Sequence, residues 1–421
     1  RKRDQRTENT NSSNTTELIR TVKHIARVTT PANPSATMRK TIAFLALLFM
    51  TLPCTCVRAQ GIVEKVTDLM EFNLGKPPAD TNKFQAKLVL APIAYFEPNT
   101  SFGFGFGTNF LFKPKGAGKD TRVSVIPVAA SYTLNNQVFI TSAYTVFFPE
   151  EKWLLRGNLD YSDFPLGYYG IGNGAADAAR SEITFQQLLV EPLLLRQVAN
   201  HLFVGGGFRY NNYYNTELLE ATAELPAGTS LQDSLGSRNV GLEFAASYDS
   251  RDNLINAQRG VLAEFTQGVY GTVLGGTSAF QLSKLDLRAY RRLNDRSVLG
   301  FQVFGRYATS GVPVQELSSL GGEERLRGFA EFRFRDRLAL FTQAEYRYQA
   351  FKSIGFVVFG GAGQVARGTG DLGLGQLRYS LGTGIRVAVI PSENVNLRID
   401  YGLGFGLSND TGFYIGLGEA F

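Results

Sequence analysis

The chain has 421 residues, with 43 Lys plus Arg against 37 Asp plus Glu and a formal net charge of +6. Ten of the basic residues, three of the acidic ones and both cysteines (Cys54 and Cys56) lie in residues 1–59, which leaves residues 60–421 with 33 basic against 34 acidic side chains. A near-neutral, cysteine-free remainder excludes the basic footprint of a nucleic-acid-binding protein, a disulfide framework and a thiolate metal site.

Residues 1–37 are polar, rich in Asn and Thr, and precede Met38; they read as an upstream extension ahead of the true start. Residues 38–59 open with Met38-Arg39-Lys40, continue as an apolar run from Thr41 to Leu52 and end on Val57-Arg58-Ala59. A basic start, a short apolar core and a small residue before the cut predict a cleaved secretory signal peptide. That run is too short to span a bilayer as a helix. Residues 60–85 carry a short helix-like apolar pattern (Ile62, Val66, Leu69, Met70) and then a Pro-containing linker. They are expected to be a short periplasmic segment rather than a folded domain.

From residue 86 to 421 the pattern changes. Segments of about ten residues alternate in period two between turns, the signature of a transmembrane β-barrel. All 45 glycines lie after residue 60, a share well above the usual figure of about 7%. In Val395–Leu403, Val395, Leu397, Ile399, Tyr401 and Leu403 are expected to face lipid, and Asn396, Arg398, Asp400, Gly402 and Gly404 the lumen. Leu338–Tyr348 repeats the scheme with Gln343, Glu345 and Arg347 inward, and Val240–Tyr248 with Asn239, Glu243, Ser247 and Asp249 on its polar face. Charge on one inward face after another suits a wet lumen better than the dry core of a soluble sandwich.

The fold class is therefore all-β, an outer-membrane barrel of about 16 antiparallel strands. The long connections Ser162–Ser181, Asn212–Ser237, Ala308–Arg335 and Ala366–Gln376 all follow odd-numbered strands, whereas Pro149–Glu151 and Leu293–Arg296 are tight. Long loops at one end and short turns at the other are what such barrels show. The first strand, Lys87–Phe96, contains Pro92, which has no N–H for a ladder and fits either a loose seam or an ordinary edge or bulge. The repeats around Gly103 sit in a strand with no helix following, so they do not form a nucleotide loop.

Four segments carry a family resemblance: Ala91–Gly107 (APIAYFEPNTSFGFGFG), Tyr248–Gly260 (YDSRDNLINAQRG), Leu320–Phe329 (LGGEERLRGF) and Thr411–Phe421. Together they resemble the barrel of the Omp85 superfamily, in a form without the periplasmic POTRA domains. In the second segment Asp249, Arg251, Asp252 and Gly260 match a strand-turn motif, with Leu254 and Ala257 where prolines are common. In the third, Gly321, Gly322, Arg327, Gly328 and Phe329 match the lumen-inserted loop. The resemblance implies that Arg327 meets lumen acids, with Glu345 as one partner. A second acid usual in the next strand is missing, because Phe359–Gly363 reads FGGAG and Gly361 stands in its place. Arg325 is expected to face solvent. Phe413, Ile415, Leu417 and Phe421 look like the closing-strand signal read by assembly machinery, with Glu419 interrupting its apolar face.

The resemblance further implies an integral outer-membrane protein without cofactor or metal. Its expected partners are outer-membrane lipids, the barrel-assembly machinery for its own insertion, and unfolded protein or lipid substrates. Its expected work is assembly, insertion or translocation of proteins or lipids; the alternative is a passive channel narrowed by its loop. A hydrolase is a third reading and would depend on His201, the single histidine after residue 60, which has no nucleophile motif beside it.

Overall fold

A computed structural model describes residues 71–74, 84–97, 101–118, 120–174, 181–220, 236–390, 394–406 and 410–421. The upstream extension and the signal peptide lie outside these residues, as does most of the 60–85 segment. The first strand among the described residues is the short β1 (Glu71–Asn73). The barrel then runs through β2 (Lys87–Glu97), β3 (Ser101–Phe112), β4 (Ser124–Thr133), β5 (Val138–Phe147), β6 (Trp153–Tyr168), β7 (Ser181–Ala199), β8 (Leu202–Glu220) and β9 (Ser237–Asp249). It continues with β10 (Gly260–Tyr270), β11 (Phe280–Asn294) and β12 (Ser297–Ala308). A small lumen hairpin, β13 (Ser318–Leu320) with β14 (Phe334–Asp336), interrupts the wall. Then come β15 (Leu338–Gln349), β16 (Ile354–Ala366), β17 (Arg378–Ile390), β18 (Val395–Phe405) and β19 (Asp410–Leu417).

Each barrel strand pairs antiparallel with the next, and β19 closes onto β2, so 16 strands form one closed barrel as the alternation predicts. Closure is what a bilayer demands of a sheet, because it leaves few backbone groups unpaired in hydrocarbon. Side chains sort by parity. Along β9, Asn239, Glu243, Ser247 and Asp249 turn inward and are buried, while Leu242, Phe244 and Tyr248 stand exposed on the outer wall. On β15, Gln343, Glu345 and Arg347 are buried and Leu340, Tyr346 and Tyr348 face out. Val395 departs from its expected lipid face. A register shift between Ala388 and Ile390 brings it into an inner apolar cluster with Val89, Ala91, Leu111 and Val389.

The strands run further than the sequence boundaries suggest. β6 extends to Tyr168 and β8 to Glu220, which shortens both of the long connections that follow them. Two other long connections, 113–123 and 250–259, lie at the opposite end from the lumen loop, where mostly tight turns were expected. The 250–259 turn folds inward, and its Leu254 and Ile255 pack on the cluster around Val89 and Ala91. An apolar cluster therefore sits at that end of the barrel.

The outer wall sets a first prediction. Phe301, exposed on the outer face of β12, should tolerate Leu but not Arg, which is expected to cost about 2–4 kcal/mol of stability in a bilayer. Urea unfolding in lipid vesicles measures it; an unchanged midpoint would mean that this wall does not face lipid.

Candidate functional site: the lumen loop and its anchors

The segment from Thr309 to Arg337 leaves the wall after β12 and returns at β15. Positive φ at Gly321 (108°), Gly322 (91°) and Gly328 (111°) lets it double back. Its turns are pinned by Gly321 N–H to the Arg325 carbonyl and Gly322 N–H to the Phe329 carbonyl, each 3.0 Å. Leu320, Leu326, Phe329 and Phe334 bury themselves against Phe304, Phe341 and Val365 of the wall, so the loop seats as a packed plug. The wall has room for it because two β18 residues lack side chains. A Cβ on Gly402 would stand 2.8 Å from the Arg327 carbonyl carbon, and one on Gly404 2.6 Å from the Phe329 ring.

At the tip, Arg327 is 1% exposed. Its Nη2 donates to Glu345 of β15, its Nη1 donates to Asp400 of β18 at 2.5 Å, and its guanidinium lies 3.5 Å from the Phe359 ring centroid. Its carbonyl accepts from the Ser380 hydroxyl, and the next amide, Gly328 N–H, donates to the Tyr414 hydroxyl of β19 at 3.1 Å. The arginine thus has two carboxylates. The loss of an acid at Gly361 is made up by Asp400, two strands further on. Gly361 itself faces the Leu326 side chain, whose Cδ2 would lie 2.8 Å from an added Cβ. Arg325 rests its guanidinium 5.1 Å from the Phe304 ring centroid.

The two acids are shared. Glu345 also accepts from Arg347 Nε at 3.0 Å, and Asp400 from Arg386 Nη1 at 2.5 Å. Those arginines continue inward to residues 418–421. Arg386 Nε donates to Glu419 at 2.6 Å, and Arg347 Nη2 donates to the Phe421 carbonyl at 3.0 Å. Here the structure corrects the expected closing strand. β19 ends at Leu417, Gly418 turns at φ 86°, and Phe421 is buried inside against Tyr290 and Ala257. Phe413, Ile415 and Leu417 keep to the face opposite the inward Tyr414, but Phe421 leaves it. The physical reason is Glu419, whose carboxylate finds Arg386 and Asn396 in the lumen and would find none on a lipid face.

Further loop anchors carried no motif. Arg333 donates to Asp410 at the start of β19 at 2.8 Å, and Arg398 of β18 reaches Glu323 at 2.8 Å. Glu316, 1% exposed, accepts from Arg209 and Asn211 of β8 at 2.9 and 2.6 Å and from Arg306 of β12 at 2.9 Å. Burial pushes the Glu316 carboxyl up, but Arg209 and Arg306 outweigh it and hold the group below its usual range. The signal for Glu316 was its parity-matched arginines, legible only once β8 and β12 face one loop.

The strand-turn motif sits at the other end. Asp249 accepts from Arg251 at 2.9 Å and pairs with Arg122 of the 113–123 turn at 3.3 Å. Asp252 accepts the Gln258 and Arg259 amides at 2.9 and 3.2 Å, and Gly260 takes φ 101° with the Ser250 backbone too close for any Cβ. Leu254 and Ala257, at positions where prolines are common in the strand-turn motif, pack inward. His201 lies in the β7–β8 turn, where its carbonyl accepts the Asp249 amide. Among the described residues no group of His, Cys, Asp and Glu could hold a metal ion.

Truncating Arg327 to Ala should lower stability by about 3–5 kcal/mol, since it leaves two buried carboxylates short of a partner. Asp400→Ala should fall in the same range, and the double variant should cost less than the sum of the two. Arg327→Lys should rescue little, because an ammonium cannot fork between two acids and lie flat on Phe359. Equilibrium urea titrations in vesicles decide this; additive losses would mean that the two groups do not interact.

The Glu316 anchor has a pH signature. A carboxyl held below its ordinary value of 4.5 stabilises the fold above that pH, and the contribution is lost as pH falls through the folded value. Acidification below about 4.5 should therefore destabilise wild type more than Glu316→Gln. Heat-modifiable gel mobility across that window reads the difference; parallel curves would refute it.

Comparison with known proteins places this architecture. The family model of the Omp85 superfamily domain matches residues 118–421. Among solved structures, the chain is similar to CdiB from Acinetobacter baumannii, with a TM-score of 0.50 and 14% identity, covering 78% of this chain and 59% of that one. It is also similar to BamA from Haemophilus ducreyi lacking POTRA domains 1–3, with a TM-score of 0.48 and 15% identity, covering 87% of this chain and 78% of that one. A search of curated protein sequences finds no match.

Proposed function

The chain belongs to the Omp85 superfamily, and from that premise we propose that it assembles, inserts or translocates proteins or lipids at the outer membrane, into which its barrel is integrated. The observation that carries this reading is the seam. β19 and β2 share three residue pairs, Phe413 with Phe96, Tyr414 with Tyr95 and Ile415 with Ala94. The flanking ladders are far longer: β2 and β3 pair from Lys87 to Glu97, and β18 and β19 from Leu397 to Gly404. Each lost pair removes backbone bonds that hydrocarbon cannot replace. The barrel is thus weakest where a lateral opening would admit an extended client.

In this reading the lumen loop keeps the rest of the wall fixed while the seam yields. Arg327, Gly328 and Arg333 tie it to β15, β18 and β19, so the last strand is held from within when its outer edge is free. Phe413, Ile415 and Leu417 serve as the outward signal for the chain's own assembly. Unfolded protein or lipid is the substrate, and no step requires bond chemistry.

A passive pore is the second reading. The charged inner wall of β6–β11, with Arg156 paired to Glu264 and Arg288 to Asp286, favours it. One experiment separates the two. Phe96→Cys with Phe413→Cys, in a background with Cys54 and Cys56 changed to Ser, locks the seam by a disulfide. Vesicles containing the protein should speed the folding of an unfolded outer-membrane barrel client into the bilayer. Oxidation should abolish that gain, and reduction should restore it. Ion flux that persists under the lock, with no client acceleration in either state, would establish the pore instead.

A further inference from the structure

β1 lies on the barrel at a place that another part of the chain would otherwise fill. It pairs antiparallel with the free edge of β2, Glu71 opposite Val89, Phe72 opposite Leu88 and Asn73 opposite Lys87. Leu74 N–H extends the contact to the Ala86 carbonyl at 2.8 Å. β19 pairs with the same edge of β2 in the same direction, higher up, from Phe96 to Ala94. Continued in that register, β19 would set Leu417 opposite Pro92, Glu419 opposite Leu90, Ala420 opposite Val89 and Phe421 opposite Leu88. The chain does otherwise: it turns inward at Gly418, and β1 takes up the line that β19 leaves. Phe72 stands where Phe421 would stand, opposite Leu88 and on the outer surface.

We propose that residues 71–73 and residues 418–421 compete for one stretch of the β2 edge, so that the seam has two exclusive closures. In the resting closure β1 covers Lys87–Val89 and Glu419 is held in the lumen. In the zipped closure β19 extends through Phe421 along β2 and β1 is released.

Glu419 sets the balance. Its parity matches Phe413, Ile415 and Leu417, so zipping would carry its carboxylate to the outer face beside Leu90. There it would lose Arg386 at 2.6 Å, Asn396 at 2.9 Å and Arg347 at 3.7 Å. A charge on the lipid face of a barrel is unfavourable. Pro92 adds a second brake, since it offers no N–H in the unpaired interval between the two ladders. The lumen end of the device is wired to the loop. Arg386 and Arg347, which hold Glu419 and the Phe421 carbonyl, also bond the two acids that clamp Arg327. Release of residues 418–421 and loosening of the loop clamp are thereby coupled through shared arginines.

The test is a competition for one thiol. With Cys54 and Cys56 changed to Ser, the full chain carries Glu71→Cys, Val89→Cys and Ala420→Cys. Directly opposed residues in a ladder lie within disulfide reach. After mild oxidation in vesicles and proteolysis, mass spectrometry counts the 71–89 and 89–420 products. The 71–89 product should dominate. Adding Glu419→Leu should shift the yield to 89–420, with Glu419→Gln giving a smaller shift in the same direction. Phe72→Pro, which strips β1 of a backbone donor and leaves the lumen cluster whole, should raise the 89–420 product in a Val89→Cys/Ala420→Cys chain. Heat-modifiable mobility verifies that each variant folds. Dominance of 89–420 without Glu419→Leu, absence of both products, or a 71–89 yield unmoved by both Glu419 variants would overturn the proposal.

Discussion

A guanidinium buried inside a barrel is the constraint around which the rest of this structure is arranged. Arg327 cannot stay there as an unpaired cation, because desolvation of a bare charge is far more costly than a fold's net stability. It is therefore matched by Glu345 and Asp400, and those acids in turn by Arg347 and Arg386. With Arg398, Glu323 and Glu419 the connected set holds four charges of each sign. A balanced cluster of this kind is not a large source of stability compared with an apolar core. What it confers is specificity of position, since few other placements of the loop would leave all eight charges paired.

That position has consequences for the wall. The loop binds β15, β18 and β19 from inside, and its entry binds β8 and β12 through Glu316. Strands far apart around the circumference are braced by one segment. The glycines of β18 belong to the same arrangement: only a bare backbone at Gly402 and Gly404 lets the Arg-Gly-Phe tip approach closely enough for Nη1 to reach Asp400.

Much of this was legible in the chain, and the reason is periodicity. Alternation assigns Asp400 and Glu345 to the lumen without ambiguity, because a strand has only two faces. Alternation does not say which inward acid lies level with a loop tip. That depends on how the strands stagger around the barrel, and Asp400 is 73 residues from Arg327. Hence the sequence shows an acid missing at Gly361 in the neighbouring strand, where Leu326 packs, but does not name Asp400 as its replacement. The closing strand shows the complementary failure. Period two carried through Gly418 predicts an outward Phe421, and only the misplaced charge of Glu419 signalled that the strand stops. A local pattern places a side chain on a face; a charge that contradicts the pattern marks where the chain departs from it.

β1 had no signal, since Glu71-Phe72-Asn73 is too short to alternate. Its place follows from what it covers. A barrel whose last strand leaves the wall early has an exposed β2 edge, and such an edge in or near hydrocarbon is a liability for backbone groups and an invitation to other strands. Turning Glu419 inward satisfies a carboxylate but creates that edge; seating β1 covers it again at Lys87–Val89. The interval from Leu90 to Ile93 stays outside both ladders, and it contains the one residue of β2, Pro92, that has no amide hydrogen to leave unpaired. The seam is thus held by two short ladders on either side of a gap, each weaker than any continuous one. A wall built this way is weakest along one line, and the charge on Glu419 decides which of two segments lies along it.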